Sequence, residues 1–500
     1  MVLTNDVWVA FKAQVDLCLN AWKCSSTSEL RFDPQDNADK WVRTSFTDEN
    51  GVLHKEGDPD WESGGWSYAY GRPAVPEDDV GDPTGHVRMA SEEYAMLFAL
   101  MARLTKDQPG MQTEHDQYLA AAKECLFKVI NESSKGDAPG MPWRQPNFAV
   151  NDRSFANEAF PLTVDWIYED LTPLELAKVR KTFLLWAEQC NSHFYFSPYR
   201  VNGQHGTPNS PELFHFDDPE EAERHFQVRL GLNNHWGNHL REMVLYGLAL
   251  DPADDVPVEL GDPAYGIVDD TAPAGAVTSQ IVGPGGPQDW VPIDNGVFRD
   301  ATGVWLYITD YAYRHDGAGG PSVEGTQYSS NGLGPVALAM AALQSAGQDD
   351  PNVWGPQVSL ANHPFWSRQI PSYLSLLAPT PRTTSNPAYS YYGDVFQPPL
   401  YGDLETYAYL NDQFIKILAP LALADARTNG TTGEIAQAVR YIQRNLAPGG
   451  PSKLAYRIGN TISNRLFRDT IYYFLLFDPV DAADPAAPPL AADPRPALQP

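Results

Sequence analysis

Apolar residues recur every three or four positions in ten separate stretches of this chain, and that period restricts it to a helical architecture. The stretches are Glu92–Leu104, Glu114–Ile130, Pro173–Gln189, Asn234–Leu250, Val304–Tyr313, Val336–Gln344, Trp366–Leu377, Thr406–Ala424, Gly433–Leu446 and Asn464–Leu476. Leu171-Thr172-Pro173-Leu174-Glu175 reads as a helix start: Thr172 caps, Pro173 takes the first helical position and an acid follows. Phe155 to Glu169 is expected to be helical with Pro161 early in it, Pro420 to kink or split its helix, and Met1 to Trp22 to form an amphipathic helix. Alternating β/α signals are missing, so a doubly wound sheet is not expected. No repeat of 20–50 residues stands out. Helices in antiparallel succession predict an all-α chain, an (α/α) toroid whose helical hairpins ring a central cleft.

The 500 residues are 43% hydrophobic and 12% aromatic, enough for a large core. The 13 Trp and 24 Tyr exceed what a core needs, so either a sugar-binding cleft or ordinary interior packing accounts for the surplus. A formal net charge of −29 argues against nucleic acid and anionic membrane surfaces as partners. It would also repel an acidic polysaccharide, except where the cleft is locally positive. Arg224, His225, Arg229, His235, His239 and Arg241 make one such segment, although each taken singly reads as a solvated helix charge. No stretch is a plausible membrane span, and no basic start with an apolar run marks a signal peptide. Cys18, Cys24, Cys125 and Cys190 form neither a CxxC pair nor a zinc spacing, so buried thiols are expected, with one disulfide open if the protein is exported. Residues 1–478 are expected to form the catalytic toroid. Residues 251–296 read as an acidic Pro/Gly-rich insertion, a lid or cleft wall, and residues 479–500 as a disordered Pro/Ala-rich tail or linker.

Two motifs carry the chemistry: Asn233-Asn234-His235-Trp236-Gly237-Asn238-His239 and Glu324-Gly325-Thr326-Gln327-Tyr328. Asn234 and Asn238 are spaced i,i+4, as are His235 and His239, so each pair shares a helix face. Helix capping is the plain alternative for Asn233 and Asn234. The HxxxH spacing also fits metal ligation, but the zinc-protease pattern needs Glu after the first His, and Trp236 stands there. No metal and no organic cofactor is expected. Tyr328 follows a glycine-rich run from Asp316 to Gly325, with a helix expected from about Gly332, which puts it at a loop–helix junction. Amide, imidazole and phenol together suit β-elimination from a uronic acid. Removing the C5 proton puts charge on the neighbouring carboxylate, which fixed donors can offset. A Tyr or His takes that proton, and a Tyr gives one to the departing O4.

These two motifs resemble heparinase II/III-like and oligoalginate-type polysaccharide lyases, over roughly residues 88–479. Weaker likenesses are Asp165-Trp166-Ile167-Tyr168 as part of a toroid hairpin, Tyr392-Gly393-Asp394 as a cleft-side turn, and Phe474 to Pro479 as the last toroid helix. The resemblance implies that Asn234 and His235 neutralise the substrate carboxylate and that Tyr328 is the catalytic phenol. Asn233, His239, Arg229, Arg241 and Glu324 are expected to contact substrate, the two arginines by attracting the acidic chain. Two departures stand out. The family's C-terminal β-sandwich is not evident, and His235 and Tyr328 are 93 positions apart because the acidic insertion intervenes. Two other functions remain open. One is a toroid glycoside hydrolase using two carboxylates among Glu324, Asp394, Asp403 and Glu405; the other is a toroid that only binds carbohydrate. No Gly-x-Ser-x-Gly elbow or P-loop is present. A polymer substrate implies export, although no signal peptide is visible.

Overall fold

The computed structural model describes residues 8–9, 11–13, 15–16, 19, 29–33, 40–47, 52–55, 57–58, 69–70, 91–133, 158–192, 198, 230–253, 255, 296–320, 324–376, 380, 382–384, 393–395, 415–429 and 433–441. The periodic stretches within these bounds are helices. In chain order they are α1 (Ser91–Thr105), α2 (Gln112–Ser133), α3 (Ala159–Ile167), α4 (Pro173–Ser192) and α5 (Asn234–Ala249). Then come α6 (Val297–Asp300), α7 (Leu306–Arg314), α8 (Gly325–Ser345), α9 (Pro364–Leu376), α10 (Ile415–Asn429) and α11 (Glu434–Tyr441). A π-helical turn, Ala301–Trp305, joins α6 to α7. Residues 464–476 and 479–500 lie outside the described residues.

Local chemistry sets several of these boundaries. At the start of α4 the Thr172 N–H donates to Glu175 Oε2 (2.7 Å), and the Glu175 N–H donates to Thr172 Oγ1 (3.3 Å). This reciprocal box satisfies two donors that a helix start leaves open. Lys123 of α2 meets the same carboxylate at 2.8 Å. Pro161 is the third residue of α3, where the missing N–H costs nothing. Pro420 does not split its helix: α10 runs on through it. Near the N-terminus, Phe11, Val15 and Leu19 are buried at i,i+4 spacing on helical backbone, as an amphipathic helix requires.

Each helix in the order α1, α3, α5, α8, α10, α11 packs on the next, with α2 and α4 flanking α1 and α5. The interior is continuous and aromatic. Trp186, Trp236, Trp305 and Trp366 are fully buried, so part of the tryptophan surplus is ordinary core. The tightest crossing joins α5 and α8. A Cβ placed on Gly237 would run into the carbonyl oxygen of Gly332. The two backbones therefore touch where neither carries a side chain.

Strands are few. β1 (Glu29–Asp33), β2 (Lys40–Thr47), β3 (Leu53–Lys55) and β4 (Ala69–Tyr70) form a small antiparallel sheet in which β2 pairs all three others. This sheet was not expected, although Trp41-Val42-Arg43-Thr44 has a strand's β-branched and aromatic composition. Gly393 and Asp394 are also in strand, not in a turn. They belong to β6 (Gly393–Val395), paired with β5 (Arg382–Thr384). The acidic insertion leaves and returns at one point: the Asp255 carboxylate accepts the Val297 and Phe298 N–H groups at 2.6 and 2.9 Å, capping α6. Residues 256–295 lie outside the described residues.

Gly237→Ala is expected to destabilise the protein by about 1–3 kcal/mol, because it overpacks the α5–α8 crossing. Urea unfolding checks this, and an unchanged midpoint would mean that the helices have room to part. A second expectation concerns pH. His363 Nδ1 accepts the Phe365 N–H (3.0 Å), and its Nε2 faces Asp310 Oδ1 at 3.5 Å. Burial lowers its pKa below 6.5; Asp310 opposes the shift and Arg314 adds to it. The unfolded chain thus takes up a proton that the folded protein refuses. This group's contribution is complete above pH 6.5 and declines as pH falls from there through the lower folded pKa. Replacing His363 by Gln should flatten that part of the stability–pH curve, and parallel curves for the two proteins would refute it.

Candidate functional site

Asn233 is the N-cap of α5, with extended backbone (φ −74°, ψ 146°) and a side-chain oxygen that accepts the His235 N–H at 2.9 Å. Its capping role and its place in the site are thus compatible. Its Nδ2 donates to Glu324 Oε1, while the Asn234 N–H donates to Glu324 Oε2 at 2.8 Å. Glu324 immediately precedes α8 and stands at its N-cap position without capping it. One carboxylate therefore joins the beginnings of two helices that are 90 residues apart in sequence. The positive end of α5 favours a negative group there, and two N–H donors fix its orientation.

Asn234 is 2% exposed. Its carbonyl oxygen accepts from Asn238 Nδ2 at 2.8 Å, so Asn238 turns back on its own helix. The Asn234 side-chain Nδ2 has no acceptor among the described residues. A buried donor left in that state costs about 1–3 kcal/mol. His235 follows as a partly exposed residue.

Tyr328 lies inside α8, not at a loop–helix junction, because the helix starts at Gly325 (φ +91°), earlier than expected. It stands one turn, roughly 6 Å along the axis, before Gly332 and the crossing with α5. Its side chain is outside what is described. The glycine-rich turn leading there docks on α9: a Cβ on Gly320 (φ +95°) would meet the Arg368 carbonyl carbon and the Gln369 nitrogen at 2.5 Å.

Arg241 is not a substrate-attracting charge. It is 3% exposed, with Nη1 2.8 Å from Glu158 Oε2 and Nη2 3.7 Å from Glu242 Oε1. His239 is likewise in the interior, 1% exposed and edge-on to Trp305 with ring centroids 6.0 Å apart. Asn234, His239 and Arg241 are buried alike; what sets Arg241 apart is that carboxylates already face it. Glu324 also differs from expectation, since both of its carboxylate oxygens bind the α5 motif. Arg224, His225 and Arg229 lie outside the described residues, as do Asp403 and Glu405.

The buried network around Arg241 was missed. Cys190 of α4 donates its thiol to Glu242 Oε2 (3.6 Å), and burial, then Glu242, pushes its pKa up. Burial pushes the Tyr246 phenol up as well. Asn191 Nδ2 donates to Asp300 Oδ2 (2.8 Å), and Asn191 Oδ1 accepts the Trp305 indole N–H (3.0 Å). These groups come from α3, α4, α5 and the α6–α7 region, so no local motif could have announced them. Cys125 is also a buried thiol, as expected. Cys18 and Cys24 lie outside the described residues.

A separate cleft of about 490 Å³ opens at the other end of α5, lined by Arg103, Asp165, Trp166, Tyr168, Leu250 and Asp251 among others. Desolvation raises the Asp165 carboxyl, with Arg103 opposing. The 16 residues of α5 put this cleft about 24 Å from the Asn–His motif, so the two are distinct places.

The chain matches no known protein-family model, and no curated protein or solved structure is similar to it. The site's chemistry therefore stands on its own geometry. It offers a buried amide donor, a neighbouring imidazole, an anchored carboxylate and, one turn from the helix crossing, a tyrosine.

Arg241→Met should cost about 3–5 kcal/mol in urea unfolding, since it leaves Glu158 and Glu242 buried without their cation. Arg314→Met, at a half-exposed pair with Asp310, should change stability by under ~1 kcal/mol. Equal small losses would mean that water reaches the Arg241 network.

Proposed function

We propose that this protein cleaves a uronic-acid-containing polysaccharide or oligosaccharide by β-elimination. The observation that carries the reading is the Asn234 side-chain amide: buried, without an acceptor among the described residues, and standing at the start of α5 beside His235. A uronate carboxylate supplies the acceptor that this donor lacks. As C5 loses its proton, charge grows on that carboxylate, and a preoriented amide and imidazole stabilise it without further reorganisation. The bookkeeping is simple. The C5–H bond breaks to a base, its electron pair forms C4=C5, and the C4–O4 bond breaks with O4 taking a proton.

Tyr328 is proposed for the proton transfers. Its helix crosses α5 at Gly237 and Gly332, one turn away. The succession of packed helices from α1 to α11 supports a toroid as the frame. Among the described residues the donors proposed to hold the carboxylate are neutral, Arg241 being engaged by Glu158; Arg229, outside the described residues, is proposed to attract the acidic chain.

The test is ultraviolet absorbance during incubation with alginate, heparan sulfate, chondroitin, hyaluronan and glucuronan. A product conjugated at C4=C5 absorbs where the substrate does not, and a rise with one polymer names the substrate class. Tyr328→Phe should abolish that rise while leaving folding and substrate binding nearly unchanged. Asn234→Ala should lower kcat by about 10²–10³, the usual loss for one oxyanion donor. Full turnover in Tyr328→Phe would sink the mechanism, and new reducing ends without absorbance would point to hydrolysis.

A further inference from the structure

We infer that Glu324 is a positioning residue that sets the separation between the carboxylate-binding pair and the first turn of α8, the turn that bears Tyr328. The inference rests on the elimination reading for its catalytic meaning, but its structural content is independent of it. Asn233 is held at both ends of its amide, with Nδ2 on Glu324 Oε1 and Oδ1 on the His235 N–H. The Asn234 backbone N–H is held by Glu324 Oε2. Rotation of the Asn233 side chain, or displacement of the Asn234 backbone, therefore breaks a bond to a charged group, the strong kind of hydrogen bond.

The other end of this clamp is the α8 backbone. Gly325, the next residue, takes φ +91° and turns the chain directly into the helix that bears Tyr328. Only four positions separate the clamp carboxylate from the phenol-bearing residue. One turn beyond, Gly332 touches Gly237 of α5. The first turns of the two helices are thus pinned at two points, an ionic one at Glu324 and a steric one at the glycine pair. Between those points lie Asn234 and His235 on one helix and Tyr328 on the other.

The clamp also decides which donors a substrate finds. Glu324 already occupies the Asn234 backbone N–H, so an incoming carboxylate is left with the Asn234 side-chain amide. A carboxylate whose two oxygens both accept hydrogen bonds acts here as a tether and not as a group that exchanges protons with substrate.

The experiment compares the full-length wild type with Glu324→Gln and Glu324→Ala, by steady-state kinetics on the cleaved polymer and by amide hydrogen exchange. Glu324→Gln keeps the shape but presents an NH₂ where an acceptor is needed. The expected result is a fall of roughly 10- to 100-fold in kcat with KM little changed, the effect of misplacing reacting groups. Amide exchange at Asn234 should rise in both variants while the later turns of α5 keep their protection. Unchanged kcat, or a raised KM with kcat intact, would overturn the positioning role, the latter because it indicates direct contact with substrate. Unchanged exchange at Asn234 would overturn the clamp itself. If the wild type eliminates no polymer while exchange at Asn234 still rises in the variants, the lyase reading fails and the structural clamp stands.

Discussion

The glycine contact between α5 and α8 is the constraint on which the rest of the candidate site depends. Helices normally pack 8–10 Å apart because side chains separate them. Gly237 and Gly332 remove that spacing at one point, and the backbones meet. A crossing this close leaves no freedom for one helix to slide along the other. It therefore fixes the start of α5 against the start of α8, which is where Asn233, Asn234, Glu324 and Tyr328 stand. The Glu324 hydrogen bonds would be loose if the crossing were loose, because a carboxylate cannot hold two helices that are free to move apart.

Behind the site the same helix is tied into the core by charge. Arg241 and Glu242 of α5 form a buried group with Glu158, the residue that precedes α3, and Cys190 of α4 joins it. Such groups repay their desolvation only when geometry is good and the remaining valences are met. They also specify one arrangement among the several that an apolar interface tolerates. From Trp236 to Arg241 every residue of α5 is buried, whereas Asn233 and His235 at its start are only partly so.

Most helices were legible because their apolar period is local information. The Thr172–Glu175 capping box was legible for the same reason, since all of its parts lie within four residues. The early start of α8 was not. Gly325, Gly332, Gly334 and Pro335 are poor helix formers, and propensity alone argues against a helix through them. Packing on α5 overrides that preference, and the glycines that weaken the isolated helix are what permit the packing. The small sheet at β1–β4 was missed from the opposite error, the helical period elsewhere being allowed to speak for the whole chain. The role of Arg241 was misread because positive charge close in sequence is not positive charge close in space. A helix turns 100° per residue, so Arg241 and His235 point in different directions.

That last point bears on how an acidic protein would hold the acidic substrate proposed for it. With a net charge of −29, long-range attraction of a uronate chain is unfavourable unless a local cationic surface opposes it. The described part of the motif provides no such surface, because its arginine is buried against carboxylates. What remains is short-range and directional: an amide dipole in a poorly solvated position, an imidazole beside it, and the positive end of α5. Such groups contribute little until the substrate has shed water and arrived, and then they act on one oxygen at a time. If the proposed elimination holds, such a site would select by fit more than by charge. It would favour stabilising charge that develops during the reaction over charge already present on the free polymer. On the elimination reading, the buried Asn234 amide, which has no acceptor among the described residues, would recover its cost when a substrate oxygen reaches it.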